Sequence, residues 1–365
     1  MVSAVRSSPT RPYVEPGIGW PAPDTERPPG GQVVLGWPEL HQLPRPSVSR
    51  GTATTTPQPA PVARTPLADA VADALAARSR QEAAPPPPRP AYTRVLTVTN
   101  QKGGVGKTTT TVNLAVALAQ LGMRVLVLDL DPQGNCSTAL GVEHRRGTPS
   151  SYDALVDGAA LAQLAAPSPE SERLSVVPAT IDLAGAEIEL VSVVARENRL
   201  RRAVHAHPGV VRPAVPGTPP AAEPAGRLDY VLVDCPPSLG LLTLNALVAA
   251  DELLLPIQTE YYALEGVGQL VETVELVRTN LNPALHVSTV LLTMFDARTR
   301  LSAGVADEVR GYFGDRVLRT AIPRSVRVSE APSYGQSVIT YDPTSPGALC
   351  YREAARELAL RGVPA

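Results

Sequence analysis

Asn100-Gln101-Lys102-Gly103-Gly104-Val105-Gly106-Lys107-Thr108-Thr109 is the stretch that decides the fold. It follows an apolar run with strand character, residues 95–99, and opens a segment with helical apolar spacing, residues 108–121. A glycine-rich loop between strand and helix is the setting a phosphate loop requires. Glycine lets successive backbone N–H groups turn inward on phosphate oxygens without Cβ clashes, and the following helix adds the positive end of its dipole. On this reading Gly103, Gly104, Val105 and Gly106 form the cradle and Lys107 reaches the β- and γ-phosphates. The Thr108 hydroxyl ligates Mg2+, and Thr109 supports the α-phosphate.

Composition strengthens the case. The chain has 33 basic and 35 acidic residues, yet its only lysines are Lys102 and Lys107, five positions apart in this one loop. Where arginine serves everywhere else, two lysines together point to chemistry. A compact ammonium on a flexible stem fits a phosphate cradle that a planar guanidinium would not. The formal net charge of -2 excludes a global basic field, so contact with nucleic acid would need a local patch. Cys136, Cys235 and Cys350 lack CxxC spacing and predict small, partly buried thiols in a reducing compartment, not a zinc site or a disulfide framework. No signal segment is evident, and no apolar run approaches the roughly 18 residues that cross a bilayer.

Working outward, apolar strands alternate with helices. Strands are expected at 95–99, 124–129, 174–178, 230–234, 252–257 and 287–293. Helices are expected at 108–121, 181–191, 196–204, 241–249, 264–279, 301–313 and 348–360. That alternation predicts a doubly wound α/β fold, a mostly parallel sheet with helices on both faces. Residues 1–92 are dominated by proline, glycine, serine and threonine and read as a disordered tail. Within it, residues 65–80 carry a cap, a proline at the first helical position and apolar residues at helical spacing, a candidate docking helix. Residues 93–365 then form one phosphate-loop domain, interrupted by a proline-rich surface insert at about 205–226.

Two aspartate motifs complete the site. Asp129-Leu130-Asp131-Pro132-Gln133-Gly134-Asn135 ends the second strand, where the ligand crevice of such sheets lies. Two carboxylates there suit a magnesium–phosphate site with an in-line water. Tyr230-Val231-Leu232-Val233-Asp234 is four apolar residues ending in aspartate, the Walker B shape that holds magnesium through water. Pro236 and Pro237 stiffen the loop that follows.

The general phosphate-loop pattern fails at one position: Gln101 stands where its first glycine belongs, and Lys102 is added. This resembles the deviant Walker A, KGGxGKT, of the ParA/MinD superfamily. Further segments carry the likeness to chromosomal ParA, also called Soj: PATIDLAGAEIEL at 178–190, DCPPSLGLLTLN at 234–245, EYYALEG at 260–266, AIPRSVRVSEAP at 321–332 and YDPTSP at 341–346. The resemblance covers nearly all of residues 94–361. It implies ATP and Mg2+ as ligands. It implies that Lys102 reaches the partner's nucleotide across an ATP-dependent homodimer, and that Lys102, Lys107 and Asp131 serve hydrolysis, Asp131 at the water. Mg2+ would be held by Thr108, Asp131 and Asp234. Met294 and Pro323 are candidates for the adenine, since no guanine-reading N-K-x-D stands at 291–296. The resemblance further implies non-specific DNA binding, a ParB-like partner that stimulates hydrolysis, and a cytoplasmic, nucleoid-associated protein.

Arginine suits sequence-blind phosphate contact. Arg298 and Arg300 are expected in a loop after a strand, Arg319, Arg324 and Arg327 in the next strand-loop, and Arg352 and Arg356 on one helical face. Of these, Arg298, Arg324 and Arg327 match basic positions of the family's DNA surface. Competing readings remain open. A ParA-like ATPase that positions a protein cargo would share every motif. A MinD-like membrane-cycling ATPase would need an amphipathic basic C-terminus, which 352–365 does not supply. An iron–sulfur reductase or small-molecule synthetase on the same fold would need other ligands. The tail and the insert leave room for a further partner.

Overall fold

The strands form because their residues are buried on both faces. Val125, Leu126, Val127 and Leu128 are each at most 1% exposed, as parallel strands under two helical layers must be. The computed structural model describes residues 85–213, 224–261 and 265–361, so the tail from 1 to 84, with its candidate docking helix, and the centre of the insert, 214–223, lie outside the described residues.

Strand β1 (Arg94–Val98) leads through the glycine loop into α1 (Lys107–Gln120) and β2 (Val125–Asp129). Short helices α2 (Asn135–Ala139), α3 (Ser151–Leu155) and α4 (Leu161–Leu164) follow, then β3 (Ala166–Pro167) and β4 (Leu174–Val177). Next come α5 (Leu183–Glu189), α6 (Arg199–Ala206), β5 (Tyr230–Asp234), α7 (Leu241–Ala249), β6 (Glu252–Gln258), α8 (Glu265–Asn280) and β7 (His286–Thr293). The chain closes with α9 (Arg300–Phe313), α10 (Val326–Glu330), α11 (Val338–Tyr341) and α12 (Pro346–Arg361).

Among the described residues seven strands lie in the order β3-β4-β2-β5-β1-β6-β7. Every pairing is parallel except that of β3 with β4. The chain passes from β1 over β5 to β2, and later from β5 over β1 to β6. These crossovers leave a crevice beyond the carboxyl ends of the central strands, the place where open sheets bind ligands. One apolar cluster packs α3 to α9 on one face, and a second packs α1 and α12 on the other. At the opposite, amino-terminal end, Arg94 of β1 grips Glu252 of β6 in a bidentate pair at 2.7 Å.

Residues 85–92 are not free of the domain. Pro87 and Pro90 are buried. Arg89 pairs with the fully buried Asp229 at 2.8 Å, and the Pro90 carbonyl accepts from Arg227. Helix α6 runs to Ala206, and Val211 N donates to Thr93 Oγ1 at 2.8 Å, so the leading margin of the insert is integrated into the fold. The stretch after β7 is not a strand-loop throughout. Phe295 bridges Pro323, but Arg327 lies in α10.

Candidate phosphate-loop and switch site

The glycine loop is held from three strands. Asn100, after β1, donates from its side-chain amide to the Pro256 carbonyl of β6 at 2.8 Å and accepts from Lys102 N at 3.0 Å. Thr293, at the end of β7, donates to the Val105 carbonyl at 2.8 Å. Gly104 and Gly106 have φ of 74° and 89°, values that favour glycine, so the tight turn into α1 depends on them. A Cβ on Gly103 or Gly104 would meet nothing within 4 Å. The loop leaves that space open.

The two lysines of the loop part company. Lys107, on the first turn of α1, is 7% exposed, and its Nζ donates to the Lys102 carbonyl at 3.3 Å, closing the loop on itself. Burial lowers its pKa, and the charges of Asp234, Cys235 and Asp131 act in the opposite direction. Lys102 instead points to the rim. Its side chain is 37% exposed, and its ammonium lies 3.3 Å from Glu260 Oε2.

Asp129 and Asp234 are register partners across β2 and β5, and both are fully buried. Burial pushes the Asp129 carboxyl up to about 6, although Ser137 donates to it from Oγ at 2.7 Å and from its backbone N at 2.9 Å. Burial, and then the charge of Asp129, raise Asp234 well above the usual carboxylate range, with the Thr108 and Thr111 hydroxyls acting against them. Asp234 Oδ1 accepts from Thr111 at 3.0 Å, while its buried Oδ2 lacks any hydrogen bond of good geometry. An orphaned carboxylate oxygen beside a threonine hydroxyl is the donor set a hard divalent cation completes. Among the described residues no group of three or more His, Cys, Asp or Glu is arranged to hold a metal.

Asp131 sits just beyond β2, half-buried, its Oδ1 accepting from Gln133 N at 3.0 Å. Gly134 completes that turn with φ of 63°, and a Cβ there would stand 2.6 Å from His144. The fold thus brings Lys107, Thr108, Asp131 and Asp234 together, with Lys102 at the rim and Thr109 next along α1. Met294 and Pro323 stand on the neighbouring segments bridged at Phe295, both half-buried. Met294 carries a positive φ of 52°, unusual for a side-chain-bearing residue.

Sequence reasoning assigned no role to Asn100, Thr111, Ser137, Thr293 or Glu260. Thr111 stands four residues past Lys107, on the next turn of the same helix, a spacing that could have flagged it. Two arginines expected on a DNA face are occupied elsewhere. Arg352 donates to the Pro343 and Ile339 carbonyls at 2.9 and 3.4 Å, and Arg356 donates to the Pro85 carbonyl at 2.6 Å. Arg298, Arg324 and Arg327 are exposed, 89%, 68% and 56%, but each stands within 4 Å of a carboxylate: Asp296 at 2.8 Å, Glu260 at 3.9 Å and Glu330 at 3.2 Å respectively.

A glycine cradle on a helix N-terminus, a buried lysine and two strand-end aspartates on a doubly wound sheet define a P-loop ATPase of the ParA/MinD type. Residues 93–207 and 224–287 match the model of a family described as an AAA domain. The sporulation initiation inhibitor protein Soj of Bacillus subtilis is 50% identical over 269 residues, 74% of this chain and 99% of that protein. The chromosome partitioning protein ParA of Myxococcus xanthus is 48% identical over 74% of this chain and 89% of its own. A cobyrinic acid a,c-diamide synthase from Mycobacterium smegmatis, solved with bound ADP and magnesium, superposes with a TM-score of 0.58 at 37% identity, over 73% of this chain and 94% of that one. The chain belongs to the Soj/ParA family of chromosome-partitioning ATPases.

Proposed function

We propose that this chain binds ATP with Mg2+, pairs with a second copy across the nucleotide, and in that state binds DNA without sequence preference. A ParB-like protein would stimulate hydrolysis and release, and the cycle would partition a chromosome or plasmid. The carrying observation is the divergence of the two lysines. Lys107 is buried inside its own cradle, whereas the Lys102 side chain is 37% exposed and its ammonium lies 3.3 Å from Glu260 Oε2. A lysine so placed can reach a triphosphate held by another subunit. Exposed aliphatic residues support a face for the second copy: Ile181, Ile188, Val191 and Val194, after β4, are 55%, 78%, 60% and 89% exposed.

In hydrolysis a water oxygen bonds to the γ-phosphorus as the bond to the β–γ bridging oxygen breaks, leaving ADP and phosphate. The protein contributes position and charge. Backbone N–H groups of 103–108 hold the phosphates. Lys107 neutralises the β- and γ-oxygens, and the partner's Lys102 adds a second cation. Asp131, half-buried at the mouth, orients the water. Thr108, Asp234 and Asp131 would hold Mg2+, which supplies charge neutralisation when bound. Met294 and Pro323 would flank the adenine. Arg298, Arg324 and Arg327 would meet DNA phosphates.

The protein would work in the cytoplasm on the nucleoid; among the described residues no helix is long and apolar enough to cross a membrane. The tail expected at 1–92, of which 85–92 pack on the domain, would serve a further partner, and 93–365 would be the ATPase domain with its insert at about 205–226. Positioning a protein cargo by the same cycle is the alternative. The identity to a diamide synthase raises amide synthesis as a further reading, but Soj matches at higher identity over 99% of its length.

The test is sedimentation and DNA retardation with ATP, ADP or no nucleotide, with and without a candidate ParB. The expected outcome is a dimer and a shifted band with ATP alone, reversed by ParB. Lys102→Ala should bind ATP yet stay monomeric. A monomer in a non-hydrolysable analogue with magnesium would sink the reading.

A further inference from the structure

Glu260 follows the carboxyl end of β6, and cationic or amide groups from three segments converge on its carboxylate. The Gln258 amide, 9% exposed, donates to Oε1. Lys102 Nζ donates to Oε2 at 3.3 Å, and an Arg324 nitrogen stands 3.9 Å from Oε1. The Glu260 backbone N donates to the Gln258 carbonyl at 2.9 Å, fixing the turn that presents the side chain. One carboxylate thus joins the rim lysine of the phosphate loop to an arginine beyond β7. The cradle has no evident use for it. A negative charge at the rim of a triphosphate site repels the nucleotide, unless its task is to occupy a cation when no phosphate is present.

Resting on the reading that Lys102 serves a second copy's nucleotide, we propose that Glu260 is the intramolecular competitor for that lysine. In the monomer it retains Lys102 on its own subunit. When two loaded subunits meet, each lysine exchanges the Glu260 carboxylate for the partner's phosphates. Breaking that ion pair is part of the free energy of assembly, so Glu260 sets how much ATP-loaded protein is needed before dimers form. The amide of Gln258 remains as the carboxylate's partner, so it is not stranded after the exchange.

The magnitude follows from exposure. Lys102 and Glu260 are 37% and 48% exposed, so solvent screens the pair. An exposed ion pair changes an equilibrium constant by about 1.4- to 5-fold. A symmetric dimer breaks two of them, so Glu260→Gln should tighten the dimer by about 2- to 25-fold.

The experiment uses the full chain with magnesium and a non-hydrolysable ATP analogue. Sedimentation equilibrium gives the dimer dissociation constant for wild type, Glu260→Gln, Lys102→Gln and the double variant, at low and high salt. A fluorescent ADP titration checks each monomer's own site. Tighter dimerisation of Glu260→Gln, an advantage that shrinks with salt, unchanged ADP affinity and monomeric Lys102→Gln variants support the proposal. Unchanged or weaker dimerisation of Glu260→Gln, with Lys102→Gln monomeric, overturns the proposal and leaves the lysine reading intact. Loss of ADP affinity in Glu260→Gln also overturns it, because Glu260 would then belong to the cradle. Dimerisation of Lys102→Gln at wild-type strength overturns the lysine reading itself.

Discussion

Asp129→Asn should change how the nucleotide-free fold responds to pH. Burial raises this carboxyl from an ordinary 3.8 to about 6. At 1.36 kcal/mol per unit, ionising it inside the fold costs about 3 kcal/mol more than ionising it in the unfolded chain. The sign follows from the raised value. Below pH 3.8 the group is protonated in both states, and its full contribution to stability is present. That contribution is lost as pH rises through 6, with about 2 kcal/mol of the loss falling between roughly pH 4.5 and 8. Asparagine cannot ionise. It also cannot accept from all present donors, because Asp131 N approaches one oxygen at 3.1 Å and Ser137 N the other at 2.9 Å. Turning either oxygen into an amide removes a hydrogen bond and opposes two donors, a cost of about 1–3 kcal/mol. The variant should therefore be less stable than wild type near pH 4.5, and the gap should close or vanish by about pH 8. Urea unfolding of both proteins across that range, without nucleotide, measures the difference directly. Parallel pH profiles would refute the reasoning, because the carboxyl would then titrate alike in folded and unfolded chains.

Four further outcomes are expected. Arg94→Ala leaves the Glu252 carboxylate buried without its bidentate partner and should cost about 3–5 kcal/mol in urea unfolding; a cost below about 1 kcal/mol would mean the pair is solvent-relaxed. Gly106→Ala places a side chain at φ of 89°, costing about 1–2 kcal/mol, and distorts the cradle, so nucleotide affinity should collapse in an ATP-binding titration. Asp131→Ala should accumulate an ATP-loaded, DNA-bound dimer, and rapid phosphate release by that variant would remove Asp131 from its proposed role. Arg324→Ala with Arg327→Ala should weaken DNA binding and flatten its salt dependence by about one in log–log slope for each DNA phosphate that is no longer neutralised, with DNA-independent ATPase activity retained.

The sheet was legible because its strands are continuous apolar runs whose burial allows no alternation. Tyr230–Asp234 and Leu241–Ala249 fall where the pattern puts them. The phosphate loop was legible because its chemistry is local, with strand, glycines, lysine and helix in one unbroken stretch. What escaped was short or distant. Helices α2, α3 and α10, of five residues each, are too brief to show a period. Strand β3 is two residues, one a proline, and exists by pairing with β4. Glu260 meets Lys102 across 158 residues of sequence, and no spacing rule links them. Arg352 and Arg356 do share a helical face, but an i, i+4 spacing says which residues are neighbours and not what that face meets. Here Arg352 meets the carbonyls that precede α12 and Arg356 the chain entering β1.

The arginines that remain on the surface bear on how DNA affinity would depend on nucleotide. Arg298 is chelated by Asp296, whose carboxyl the guanidinium holds down at about 2, and Arg327 lies between Glu330 at 3.2 Å and Asp342 at 3.5 Å. A DNA phosphate must displace or share these carboxylates, so one subunit gains little net charge from each contact. Two subunits held together would present the same weak contacts twice, and the second set would then bind as an intramolecular event at high effective concentration. On this reading ATP need not reshape the arginine surface at all. Joining two modest surfaces suffices to convert poor DNA affinity into retention, and parting them on hydrolysis suffices for release. A covalently linked dimer carrying Lys102→Ala would then hold DNA without ATP, and its failure to do so would show that nucleotide alters the surface itself.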